Sequence, residues 1–145
     1  MNKNTRIMYK FARMYEYVQD MMTICREYSF DYETMLSDKF NRYAVGMCIL
    51  QLGEQAAQIR DIDQELYADP EYSLKNIKGM RDRIAHGYAD IDFLIVKNVL
   101  KNEVPLLEAK IQNLIPKEIL ENPYILHEIE FDDYINKDHN PEIEL

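Results

Sequence analysis

The chain has no Trp, only two Cys, four Gly and five Pro among 145 residues. So few turn-formers leave little room for the many tight turns of a β-sandwich, and an apolar fraction of 47% argues against a disordered chain. Cys25 and Cys48 each sit in an apolar helical pattern with no Cys or His at metal-ligand spacing. They read as small core residues of a reduced, cytosolic protein, and neither a metal nor a cofactor is expected. Glycine aside, the longest strictly apolar run is Ala44 to Leu50, too short to cross a bilayer, and Met1-Asn2-Lys3-Asn4 is polar where a signal segment would be apolar. A cytoplasmic protein with no membrane partner is expected.

A broad basic surface is also missing, since the formal net charge is −9. The acid is unevenly spread. Residues 117–145 hold nine acidic and two basic residues, a net of −7, which leaves only −2 for residues 1–116. The expected organisation is a helical body over 1–116 and an acidic C-terminal arm over 117–145, the arm being helical or extended on the body, or partly disordered.

Helical periodicity dominates the body. Ile7, Phe11, Met14, Val18, Met21, Cys25 and Tyr28 alternate steps of four and three, which predicts a long first helix capped by Asn4 or Thr5, with this seam in the core. After a connection over Ser29–Ser37, a second long helix starts near Ser37 or Asp38. Phe40, Ala44, Met47 and Leu50 or Gln51 follow one face of it, and Gly46, Gly53, Ala56 and Ala57 keep parts of its surface thin. Small residues allow close approach, either by a second subunit or by another helix of the same chain. Asp69-Pro70 breaks the helical pattern. A third helix is predicted from Ser73, with Leu74, Ile77, Met80 and Ile84 inward and Gly87 at its end. A fourth runs from Asp90 or Ile91, with Phe93 or Leu94, Val96 or Lys97, Leu100, Val104 and Leu107 or Leu106 inward. Pro105 either kinks that helix or opens a new segment. The fold class is all-α.

Chemistry concentrates at the end of the third helix, in Lys78-Gly79-Met80-Arg81-Asp82-Arg83-Ile84-Ala85-His86-Gly87-Tyr88. On a straight helix Arg81 and His86 project about 140° apart. A helix that ends at Gly87 still allows the long Arg to swing toward the His at the frayed end. Asp82 and Gly79 share the face of His86, so Asp82 can orient the imidazole or a neighbouring donor. An imidazole exchanges protons near neutral pH and a guanidinium grips two phosphate oxygens, a combination able to cleave RNA without a metal. Lys75, Lys78, Arg81 and Arg83 face a single acid, Asp82, over residues 75–86. That local excess of positive charge suits a phosphate backbone. The competing reading is a solvated helix face whose Arg81 and His86 pair with carboxylates of the bundle.

Arg81-Asp82-Arg83-Ile84-Ala85-His86-Gly87-Tyr88, an R-x4-H-x-Y, resembles the signature of the HEPN superfamily, and in particular the HepT-type toxins encoded with minimal nucleotidyltransferase antitoxins. Ile77-Lys78-Gly79-Met80, Asp90-Ile91-Asp92 and Leu52-Gly53-Glu54-Gln55-Ala56 resemble that family's recurrent segments too, so the likeness spans roughly residues 5–115. The resemblance implies an up-and-down bundle of four to five helices that forms a homodimer, acting as a metal-independent endoribonuclease on RNA. Arg81 and His86 would be catalytic, Asp82 supporting, and Lys75, Lys78 and Arg83 would hold RNA. Tyr88 would be the tyrosine to which the nucleotidyltransferase antitoxin adds AMP, silencing the toxin. A non-catalytic helical dimer that is only the binding partner and substrate of such a nucleotidyltransferase would use the same tyrosine. A nucleotide-binding bundle without turnover is a third reading. The arm from Lys117 lies outside the resemblance, and it is expected either to fold over the basic cleft or to contact a partner.

Overall fold

The computed structural model describes residues 1–87 and 92–139, and these build one all-helical bundle. Its elements are α1 (Lys3–Glu27), α2 (Tyr32–Ser37), α3 (Lys39–Ile62), α4 (Gln64–Ala68), α5 (Leu74–His86), α6 (Phe93–Asn98), a π-helical turn (Val99–Glu103), α7 (Val104–Leu114), α8 (Lys117–Glu121), a 3-10 turn (Pro123–His127) and α9 (Phe131–His139). Among the described residues, no helix is long and apolar enough to cross a membrane.

Aspartate starts four of these helices. Asp31, Asp38, Asp63 and Asp92 accept from the backbone N–H of Thr34, Phe40, Leu66 and Leu94, each satisfying a donor that has no partner within its own first turn. The Thr34 hydroxyl and then its N–H hold the Asp31 carboxyl below its ordinary value, and the Leu66 N–H does the same for Asp63. The cap of α1 is Asn2, accepting from Thr5 N–H, and not Asn4 or Thr5 as the sequence suggested. Thr5 instead lies buried beneath the C-terminal segment.

Helix α3 is the centre of the bundle, with α1 and α5 packed on it. The α1 seam from Ile7 to Cys25 is buried as its spacing predicts, and so are Leu74, Ile77, Met80 and Ile84 of α5. On α3 the buried line is Val45, Cys48, Ile49, Leu52, Ala56 and Ile59. Phe40 and Met47, on the face that the sequence picked out, lie outward at 69% and 53% exposure. Phe93 and Leu94 are exposed as well, and only Val96, Leu100, Val104 and Leu107 of their predicted stripe point inward. Burial raises the thiol of Cys25 and, with help from Asp20, pushes that of Cys48 up to about 11, so both stay protonated.

Pro105 explains the π-helical turn. It sits in the first turn of α7, has no N–H to donate, and its ring crowds the carbonyl four residues earlier. One wide turn over Val99–Glu103 lets α6 run on into α7 instead of ending there.

The described part of the segment after Lys117 packs mainly on α1 and not over α5. Ile119, Leu120, Leu126 and Phe131 are buried in the common core, so its described part is a structural layer. Its acids have a local use. The first turn of α1 carries no acidic residue of its own. Glu130 takes the Met1 ammonium at 3.5 Å and the Asn2 N–H at 2.9 Å, while Asp132 accepts from the Asn4 amide at 2.8 Å. These carboxylates complement the positive end of the α1 dipole. A bond to Thr5, then the Asn2 N–H and the terminal ammonium, hold the Glu130 carboxyl below its ordinary value.

Beneath them the fully buried Thr5 accepts from Phe131 N–H at 2.8 Å. Thr5→Val keeps the shape but leaves that donor unpaired, and is expected to cost about 1–3 kcal/mol in urea denaturation. An unchanged midpoint would mean that this bond adds nothing to stability.

Candidate active site

Arg81, Asp82 and His86 all lie on α5, which ends at His86. Gly87 caps it with φ −130°, outside the left-handed region, its N–H bonded to Arg83 O at 3.2 Å. The helix thus stops at the predicted place by a different route from a left-handed glycine.

Arg81 owes its position to α3. A Cβ built on Gly53 would overlap the Cβ and Cγ of Arg81, so this contact requires glycine. The small-residue surface read from the sequence is therefore used, at Gly53, by another helix of the same chain. The stem of Arg81 lies in the seam between α3 and α5, and its head turns outward. There Nη1 donates to Asp82 Oδ1 at 3.0 Å, while Lys78 Nζ donates to Asp82 Oδ2 at 2.8 Å. Bonds from Lys78 and Arg81 hold the Asp82 carboxyl below its ordinary value, so it is an anion throughout the neutral range. Asp82 orients Arg81, then, and not the imidazole.

His86 is exposed at the helix end. No hydrogen bond or ion pair joins its ring to another described residue. Lys75 and Arg83 are exposed too, and neither forms an ion pair among the described residues, so half of the four cations expected to meet phosphate are not spent on the protein's own carboxylates. Beside α5 a groove of about 440 Å³ runs against α6 and the π-helical turn, lined by Asn76, Met80, Arg83, Leu94, Ile95, Asn98, Val99 and Glu103. The sequence reading missed this groove, since only the wide turn before Pro105 brings Asn98 and Glu103 alongside α5. Tyr88 and the proposed start of the next helix at Asp90 or Ile91 lie outside the described residues.

Among the described residues, no three His, Cys, Asp or Glu side chains are grouped to hold a metal ion. His127 is taken up by aromatic packing, stacked on Tyr124 at 5.6 Å and edge-on to Tyr9 at 5.0 Å.

Arg81 and His86 thus lie on the last two turns of one helix, with Lys75 and Arg83 unpaired among the described residues beside them. The family model described as ribonuclease HepT-like matches residues 14–114, a stretch that contains the whole constellation. The chain belongs to the HepT-like ribonuclease family. Two proteins of Methanocaldococcus jannaschii with provisional RNase names resemble it. One is 30% identical over 100 residues, covering 69% of this chain and 79% of that protein. The other is 30% identical over 99 residues, covering 68% and 82%. A protein of Thermococcus cleftensis named as a ribonuclease HepT is 28% identical over 83 residues, covering 57% and 74%. No solved structure matches the chain at a comparable level.

Proposed function

We propose that this HepT-like chain is a metal-independent endoribonuclease, the toxin of a toxin–antitoxin pair whose antitoxin is a nucleotidyltransferase that adds AMP to Tyr88. The observation that carries the reading is Arg81, fixed by Gly53 and Asp82, on the same helix end as a His86 whose ring has no partner among the described residues. In the reaction the 2′-hydroxyl gives up its proton, its oxygen attacks the adjacent phosphorus, and the bond to the 5′-oxygen breaks. The products are a 2′,3′-cyclic phosphate and a 5′-hydroxyl. His86 moves the proton at one of the two oxygens, and Arg81 holds the phosphoryl oxygens as negative charge builds on them. Lys75, Lys78 and Arg83 retain the strand.

The active form is a homodimer, which sets Arg81 of one chain beside the other chain's His86 and so removes the problem of their divergent projection. The outward apolar stripe of Phe40 and Met47 on α3, together with exposed Phe93 and Leu94, supports a second copy on this side. Arg42 lies over the Phe93 ring at 5.0 Å, and an apolar hollow of about 280 Å³ between them and Leu36 gives the stripe relief to pack against. The toxin role and the AMP site rest on the likeness of the motif ending in Tyr88. An AMP group there would add negative charge and bulk beside the cations that hold RNA.

The test is cleavage of mixed RNA in excess chelator, by protein whose intact mass shows Tyr88 unmodified. Fragments ending in 2′,3′-cyclic phosphate, and loss of cleavage once ATP, Mg²⁺ and the nucleotidyltransferase have added one AMP, are the expected results. Unmodified, folded dimer that cleaves no RNA would instead favour a non-catalytic binding partner and substrate of the nucleotidyltransferase.

A further inference from the structure

Gly79 lies inside α5, where glycine is a poor helix former. A Cβ built there meets no atom of a described residue within 4 Å, and its φ is not in the left-handed region. Among the described residues neither packing nor backbone conformation calls for glycine at this position, in contrast to Gly53. The gap leaves this stretch of α5 open to something outside the fold.

Gly79 falls on one line of the helix with Lys75, Asp82 and His86, at steps of four, three and four. Lys75 and Arg83 on either side carry charge that no described carboxylate neutralises, and Lys78 shares Asp82 with Arg81. We propose that Gly79 is a bare seat on which the sugar–phosphate backbone of the substrate RNA lies directly against α5, leading the strand from Lys75 toward His86. The charge points to the occupant: Lys75 and Arg83 flank Gly79 without an ion pair among the described residues, and RNA brings phosphates to them. A side chain at Gly79 would lift the strand off the helix and away from Arg81 and His86. This inference rests on the ribonuclease reading and adds how the strand is seated.

Gly79→Ala tests it, because alanine favours the helix and the variant folds. Tm is expected to rise by about 3 °C. The seat is probed by titrating a fluorescent single-stranded RNA with full-length His86→Ala, and with Gly79→Ala in the same background, so that cleavage does not disturb binding. Affinity is expected to fall about tenfold, with sedimentation unchanged. Unchanged affinity overturns the seat, as does a loss of affinity that only follows a change in oligomeric state, which would make Gly79 a contact between copies. Protein carrying the native His86 separates the two ideas. If it cleaves RNA while Gly79→Ala leaves affinity intact, the seat falls and the ribonuclease stands. If it binds RNA in a Gly79-dependent way but never cleaves, the ribonuclease reading falls.

Discussion

His86→Ala is expected to leave the bundle folded and to lower RNA cleavage about a thousandfold, within the range by which a positioned proton-transfer group accelerates a reaction. The stability half follows from exposure. His86 is the last residue of α5, exposed and without a side-chain bond among the described residues, so its loss is expected to change stability by no more than about 0.5 kcal/mol. The activity half follows from position, because His86 shares α5 with Arg81, whereas His127 lies in the C-terminal segment, packed against Tyr124 and Tyr9.

This substitution is a cleaner probe than Arg81→Ala. Arg81 is both the proposed phosphate ligand and the side chain packed on Gly53, so its truncation mixes lost charge with lost packing. Arg81→Lys keeps the stem and the charge but cannot grip two oxygens at once, and its defect should grow as the transition state is approached. Single-turnover cleavage of one labelled RNA, read beside thermal melting, distinguishes the cases. Cleavage by His86→Ala at the native rate, from protein freed of contaminating nucleases, would remove His86 from the mechanism.

Much of this arrangement is legible from spacing. The seam of α5 is legible because mostly polar residues fill the positions between its apolar ones, and that of α1 because its steps of four and three persist over about six turns although Met8, Tyr9 and Ile24 lie beside it. Helix α3 defeats the same reading. It carries two apolar lines, Val45-Ile49-Leu52-Ala56 and Phe40-Met47, and only the neighbours α1 and α5 decide that the first goes inside. Phe93 and Leu94 mislead similarly, since they start α6 at the bundle's edge where no helix covers them. The tail is harder still. Its acids look like solvated charge until Glu130 and Asp132 are seen to meet the opening turn of α1, a contact spanning 128 residues that no local pattern encodes. In the site, the residue types and their order were readable, while the partner of Asp82 was not. A projection places Asp82 beside His86, but the flexible heads of Lys78 and Arg81 reach it first.

Gly53→Ala is expected to destabilise the protein by about 2 kcal/mol, although alanine favours a helix over glycine by about 1 kcal/mol. The sign is set by what the new methyl meets. Overlap with the far end of a flexible side chain would be relieved by rotation. Here the overlap is with Cβ and Cγ of Arg81, and Cβ is fixed by the backbone of α5. Relief requires α5 to move away from α3, which loosens a main packing contact of the bundle. The same displacement carries Arg81 and its bond to Asp82 with it, and a shift of about 1 Å in a phosphate-gripping group can cost about a hundredfold in rate. Stability and cleavage therefore fall together at Gly53, whereas at Gly79 the same substitution should raise Tm and weaken RNA binding. Melting curves and cleavage rates of the two alanine variants, measured side by side, check the pair. A Gly53→Ala protein as stable and as active as the native chain would mean that α3 and α5 do not approach closely enough for glycine to matter, and that Arg81 is held by Asp82 alone.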